Sequence, residues 1–154
     1  MIRRWTVFLA SLAACVLVPF SAHAAVNCSV TTVGVAFGFY DVFSSTPLTS
    51  AGSVTIRCVG LGRGIEPVSV SLSTGGSGSF QPRTLFRGSD RMSYNLYLDA
   101  SHTQIWGDGT GGTLNHVSVP NNRPVTLTIF GRIPPGQDVS AGTYSDTIVT
   151  TINF

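Results

Sequence analysis

The side chains able to act as nucleophiles, bases or metal ligands are few and scattered. Nucleophilic catalysis needs a nucleophile, a base and an orienting group in one pocket. Of the three histidines, His23 falls in the N-terminal leader described below, and His102 and His116 stand in polar stretches that read as surface loops. No serine occupies a G-x-S-x-G elbow, since Gly75-Gly76-Ser77-Gly78-Ser79 ends in Ser. Glycoside cleavage calls for paired carboxylates, yet Glu66 is the only Glu and no two acids share an apolar setting. The stretch Gly107 to Gly112 formally contains G-x-G-x-x-G, but "TLNHVSVP" follows it where a phosphate-binding helix would have to begin. It reads as a Gly-rich hairpin loop, and Asp108 alone supplies too few oxygens for a calcium cage. The expectation is a protein that is not an enzyme and carries no cofactor or metal.

Two cysteines hold the one clear covalent possibility. Residues 1–24 have the form of a signal peptide: Arg3 and Arg4, an apolar run from Trp5 to Phe20, and the small-x-small site Ala22-His23-Ala24. Pro19 and the following residues interrupt the run short of the roughly 20 apolar residues a membrane span needs. An alternative cleavage box, Leu12-Ala13-Ala14-Cys15, would make Cys15 a lipidated terminus, but the apolar residues after it make a poor tether. After cleavage Cys28 and Cys58 remain, an even pair in a compartment that permits oxidation. A disulfide between them is expected, with two buried thiols as the alternative.

The remaining residues, 25–154, suit one domain. Their charge excludes some partners. The chain has nine cations, all Arg; removing Arg3 and Arg4 leaves seven against seven acids, a net charge of zero. No basic cluster remains to track a nucleic acid, and no basic amphipathic helix to lie on a membrane.

The elements that must position these residues are strands. "SVTIRC", "VSVSLS", "YNLYLD" and "VTLTIF" alternate strictly, with Val54, Ile56 and Cys58, then Val68, Val70 and Leu72, then Tyr94, Leu96 and Leu98, then Val125, Leu127 and Ile129 turned one way. In the second of these, Ser69, Ser71 and Ser73 are expected to face solvent. Gly-rich and Pro-rich clusters separate the strands. An all-β sandwich is predicted. The last run, "TYSDTIVTTINF", alternates to the C-terminus and places Tyr144, Ile148, Ile152 and Phe154 on one apolar face with nothing after it to cover them.

In combination the two cysteines, Phe37-Gly38-x-Tyr40-Asp41, Tyr94-x-Leu96-Tyr97-x-Asp99, Trp106-Gly107 and Gly142-x-Tyr144-x-Asp146-Thr147 resemble the spore coat protein U domain family, over essentially all of 25–154. That family includes the subunits of archaic chaperone-usher pili. The resemblance implies an immunoglobulin-like β-sandwich lacking its final strand. A periplasmic chaperone lends that strand, and a neighbouring pilus subunit replaces it after passage through an outer-membrane usher. Tyr144, Ile148, Ile152 and Phe154 would then border the strand-acceptor groove. Before Cys28 only Ala25, Val26 and Asn27 precede, about 10 Å of extended chain, too short to serve as a donor strand. The expectation is an exported adhesive subunit at the fibre tip, serving surface attachment and biofilm formation. A self-contained secreted coat or matrix protein is the alternative. A carbohydrate-binding module would rest on exposed aromatics such as Trp106 and Tyr97.

Overall fold

The computed structural model describes residues 27–59, 67–118 and 122–153. Residues 1–24, expected as a leader, with Cys15 among them, and Phe154 lie outside the described residues. Eight strands form two antiparallel sheets. The large sheet takes β1 (Asn27–Val33), β2 (Leu48–Val59), β7 (Val125–Ile133), β5 (Asp90–Tyr97) and β4 (Arg83–Arg87) in that spatial order, and the small one takes β6 (His116–Ser118), β3 (Val68–Leu72) and β8 (Thr150–Asn153). The helical structure among the described residues is one 3-10 turn, Gly75–Ser77.

Alternation builds the core because successive side chains of a strand point to opposite faces. Val54, Ile56 and Cys58 on β2, Val68, Val70 and Leu72 on β3, Tyr94 and Leu96 on β5, and Leu127 and Ile129 on β7 are all buried. One part of the pattern departs from expectation. Ser71 is buried rather than solvent-facing.

The final strand is also shorter than its alternation predicts. Burial alternates from Tyr144 to Asn153, but only Thr150–Asn153 is a strand, paired with β3 through Leu72↔Thr150 and Ser69↔Asn153. Upstream, Ser145 bridges to Phe86 of β4, exchanging both backbone hydrogen bonds at 2.8 and 3.0 Å. The chain therefore leaves the edge of the large sheet and joins the edge of the small one. Between those two attachments its side chains keep the period of a strand, while the backbone of residues 146–148 belongs to neither ladder; Val149 O already accepts from Ser73 N at 2.9 Å.

Two features lock the frame. Cys28 and Cys58 face each other across β1 and β2 and are joined as a disulfide, closing a sequence separation of 30 residues. At the other end, Arg83 of β4 is 0% exposed. Its guanidinium donates to Ser73 O from Nε at 2.9 Å and from one Nη at 2.8 Å, to Trp106 O at 2.7 Å, and to Asn95 Oδ1 at 2.8 Å. Trp106, also fully buried, donates its indole N-H to Val70 O at 2.9 Å. A cation and an indole thus tie β3 of the small sheet to β4 and β5 of the large one. Burial of a charge is tolerated here because its donors find carbonyl and amide oxygens.

Two changes test this frame by chemical denaturation. Cys28→Ser is expected to cost about 3.5 kcal/mol, the chain-entropy value for a loop of this size. Arg83→Ala removes the donors to Trp106 O and Ser73 O, while Asn95 Oδ1 keeps the Leu96 N-H, and is expected to cost about 2 to 4 kcal/mol. A loss below about 1 kcal/mol would mean the network is not a brace.

Candidate functional site

Between the sheets lies an open groove of about 1120 Å³. Its floor is apolar: Met92, Tyr94 and Leu96 of β5, Ile129 and Ile133 of β7, and Leu72 of β3. One wall is formed by residues 34–43 and the other by residues 139–150.

The first wall exists because the chain crosses out of the large sheet after β1, and two glycines make room for it. A Cβ on Gly52 would stand 2.5 Å from Val33 O, and one on Gly131 would stand 2.6 Å from Val35 Cγ1 and 2.8 Å from Phe37 Cζ. Ala36 O accepts from Ser50 Oγ at 2.6 Å, and the Phe37 ring meets Tyr94 edge-on at 6.0 Å. The wall is then clamped at Tyr40, whose hydroxyl donates to Pro134 O at 2.9 Å and accepts from the Gln137 N-H at 3.0 Å. Gln137 in turn acts as a surrogate strand residue beside β5: its side-chain oxygen accepts from Ser93 N at 2.7 Å and its amide donates to Ser93 O at 2.8 Å. Phe39 and Phe43, on the same wall, are 86% and 92% exposed.

The second wall is held by Asp146. Its carboxylate accepts from the Tyr94 hydroxyl at 2.7 Å and from the backbone N-H groups of Gly76 and Thr147, each at 2.8 Å. Burial, reinforced by the bond to Asp146, pushes the Tyr94 phenol far above its usual range, so its hydroxyl remains a donor. Tyr144 donates to Ser140 O at 3.0 Å, folding the start of the wall on itself.

Of the residues expected on the acceptor edge, Tyr144 and Ile148 line the groove. Ile152 does not: it sits farther along, opposite Val70 on β8, packed against the core. The sequence reading did not single out the opposite wall, the glycine pair, Tyr40 or Gln137 as groove-forming. Phe37-Gly38-x-Tyr40-Asp41 and Gly142-x-Tyr144-x-Asp146 carry that signal, because the two motifs supply the two walls.

The remaining candidates for chemistry are dispersed. His102 packs against Tyr97 at 5.2 Å, and His116 lies on strand β6, half-buried beside Trp106, rather than in a surface loop; burial lowers its pKa. Asp99 and Asp108 cap their own loops, Asp99 by accepting from Ser101 Oγ, Gln104 N and Thr103, and Asp108 by accepting from Thr110 Oγ1 and N, and these bonds hold both carboxyls below the usual range. Among the described residues no three His, Cys, Asp or Glu side chains gather as a metal site. Trp106, fully buried, is a packing residue and not a surface contact. What the groove offers is shape and backbone: an apolar trough flanked by segments, 34–40 and 146–148, that have no ladder partner among the described residues. Gly131→Ala should force Val35 and Phe37 off β7, with an expected loss of about 1 to 3 kcal/mol by thermal or chemical unfolding, as for other overpacked interiors.

Comparison with known proteins accords with this geometry. The model of the Spore Coat Protein U domain matches residues 13–151. Protein U of Myxococcus xanthus is 33% identical over 133 residues, covering 77% of this chain and 70% of that protein. A chain in the crystal structure of the CsuC-CsuE chaperone-tip adhesion subunit pre-assembly complex, from the archaic chaperone-usher Csu pili of Acinetobacter baumannii, superposes with a TM-score of 0.59 at 23% identity. The match covers 84% of this chain and 40% of that one, and it identifies the same incompletely closed, immunoglobulin-like all-β fold. With the family model spanning most of the sequence and Protein U one-third identical, the chain belongs to the Spore Coat Protein U domain family.

Proposed function

We propose that this chain is an exported, non-catalytic subunit of an archaic chaperone-usher pilus, assembled by donor-strand complementation. The observation that carries the reading is the groove, an apolar trough whose two walls leave backbone without ladder partners. An added strand answers both needs at once, since its main chain pairs with the walls and its alternate side chains fill the trough. The wall from Val35 to Tyr40 turns at Gly38, whose φ is 75°, so its six residues span less than the about 20 Å of a fully extended chain, and the occupant is a short strand.

In this reading residues 1–24 are removed as a signal peptide and residues 25–154 form one pilin domain. A periplasmic chaperone supplies the first strand, an outer-membrane usher passes the subunit outward, and a neighbouring subunit supplies the permanent strand. The likeness to a chain of a chaperone-tip subunit complex supports a place at the fibre tip, in attachment to surfaces and in biofilm formation. A second reading, a self-contained secreted coat or matrix protein, has its own support in the likeness to Protein U over 70% of that protein's length. In it, a segment of the same chain closes the groove.

Expression of residues 25–154 with and without the cognate chaperone separates the two. The pilus reading expects soluble, folded protein only when the chaperone or a donor-strand peptide is present. A monomer that is fully folded alone, with stability independent of concentration, would overturn it and favour the coat protein. Within the pilus reading, Ile148→Ala removes a groove contact worth about 1.5 to 3 kcal/mol when fully buried, so peptide capture should weaken roughly ten- to hundredfold. Thr147→Ala, on the exposed side of the same wall, should change capture little.

A further inference from the structure

The groove is not the only open backbone in the molecule. β1 is an outermost strand of the large sheet, paired on one side with β2 over its seven residues and on the other side, among the described residues, with nothing. The remaining edges are short or covered. β4, at the far end of the same sheet, is bridged at Phe86 by Ser145, β6 is three residues long, and β8 is four. Soluble proteins blunt an exposed edge with lysine, proline, a bulge or an inward charge. "NCSVTTV" has none of these residue types, its register with β2 is unbroken from Asn27↔Val59 to Val33↔Ser53, and the whole chain lacks lysine. Val30 and Val33 on this strand are 43% and 61% exposed.

We infer that the free edge of β1 pairs with β1 of a second copy of this chain, antiparallel and about a two-fold axis at Val30. The strand is suited to itself. Centred on Val30, the register sets Val30 against Val30, Cys28 against Thr32, and Ser29 against Thr31, so that no charge or bulky side chain opposes its like. Cys28, Val30 and Thr32 share the inner face, where Cys28 is engaged in its disulfide and the two valines cover each other. Ser29 and Thr31 share the outer face, where their hydroxyls meet across the pair. The contact is isologous, as two-fold contacts are, and it joins the two large sheets of five strands into one continuous sheet. β1 also borders the groove through Val30, Thr32 and Val33, but the outward Ser29 and Thr31 do not line it, so the contact is open to a fibre subunit and to a coat protein alike.

A single pair of seven-residue strands falls short of the roughly 1,000 Å² that a lasting interface buries. One contact is therefore weak and exchangeable, and it becomes effective where many copies are already held together, by raised local concentration. Its role is lateral: fibre to fibre, or layer to layer.

Charge placed at the paired outer positions tests both the contact and its register. The chain is prepared with its chaperone or a donor-strand peptide in the groove, or without either if it folds alone, and association is read by sedimentation equilibrium up to millimolar concentration. The parent should form dimers reversibly. The Ser29→Arg, Thr31→Arg double variant sets like charges directly opposite each other at both pairs and should weaken association about tenfold or more. The Ser29→Asp, Thr31→Arg double variant sets opposite charges at the same pairs and should associate at least as well as the parent, now weakened by salt. A parent that stays monomeric overturns the inference, as do two variants that behave alike. Groove filling is read separately by peptide capture, which neither double variant should alter and which Ile148→Ala does, so failure of the edge contact and failure of the groove are distinguished.

Discussion

Backbone hydrogen bonding, more than any side chain, governs this molecule. A buried N-H or C=O must find a partner, and a sandwich is complete only when each inner strand has a neighbour on both sides. Here the chain twice leaves a ladder, once on the way from β1 back to β2 of the same sheet and once on the way from the large sheet to the small one. It does so first after Gly34, where it slips over the glycines at 52 and 131, and again between Ser145 and Thr150, where it leaves β4 for β3. Each passage carries the inward side chains across correctly but leaves the main chain in transit. Because the two passages face each other, the unpaired backbone collects along a single trough instead of being scattered over the surface.

An open trough in a small domain invites collapse, and the frame around it counters this. The Cys28–Cys58 disulfide fixes β1 to β2, and Arg83 joins both sheets through Ser73, Asn95 and Trp106. Tyr40 and Gln137 hold the first wall against the end of β7 and the edge of β5, and Asp146 holds the second against Tyr94 and the Gly75–Gly76 turn. These polar contacts act as spacers. The apolar floor supplies attraction for a strand, while the hydrogen bonds at the rim keep the floor from being covered by its own walls.

The parts of this arrangement that sequence reveals are those with a period. Val54, Ile56 and Cys58, or Val68, Val70 and Leu72, announce buried strands because one face is covered and the other is not. The same period misled at Tyr144 to Val149, since alternation records which side chains turn inward and is silent about what the backbone pairs with. β1 carried little signal because its inner residues Val30 and Thr32 open onto the groove and are not sealed by a core. Arg83 reads in sequence as one more surface cation. Its burial depends on acceptors at Ser73, Asn95 and Trp106, 10, 12 and 23 residues away, which no local pattern brings together.

Trp106 gives the fold an optical signature. The chain has two tryptophans, and the other, Trp5, falls in residues 1–24, which the proposed function removes as a signal peptide. In residues 25–154 tryptophan emission comes from a single indole, shielded from water, bonded to Val70 O and lodged where the small sheet meets the brace around Arg83. Its wavelength and quenching therefore report on that junction alone. Trp106 lies beneath the trough, its backbone N-H bonded to Leu96 O of the floor at 2.9 Å, so arrival of a strand above it leaves the indole dry, whereas rupture of the sandwich wets it.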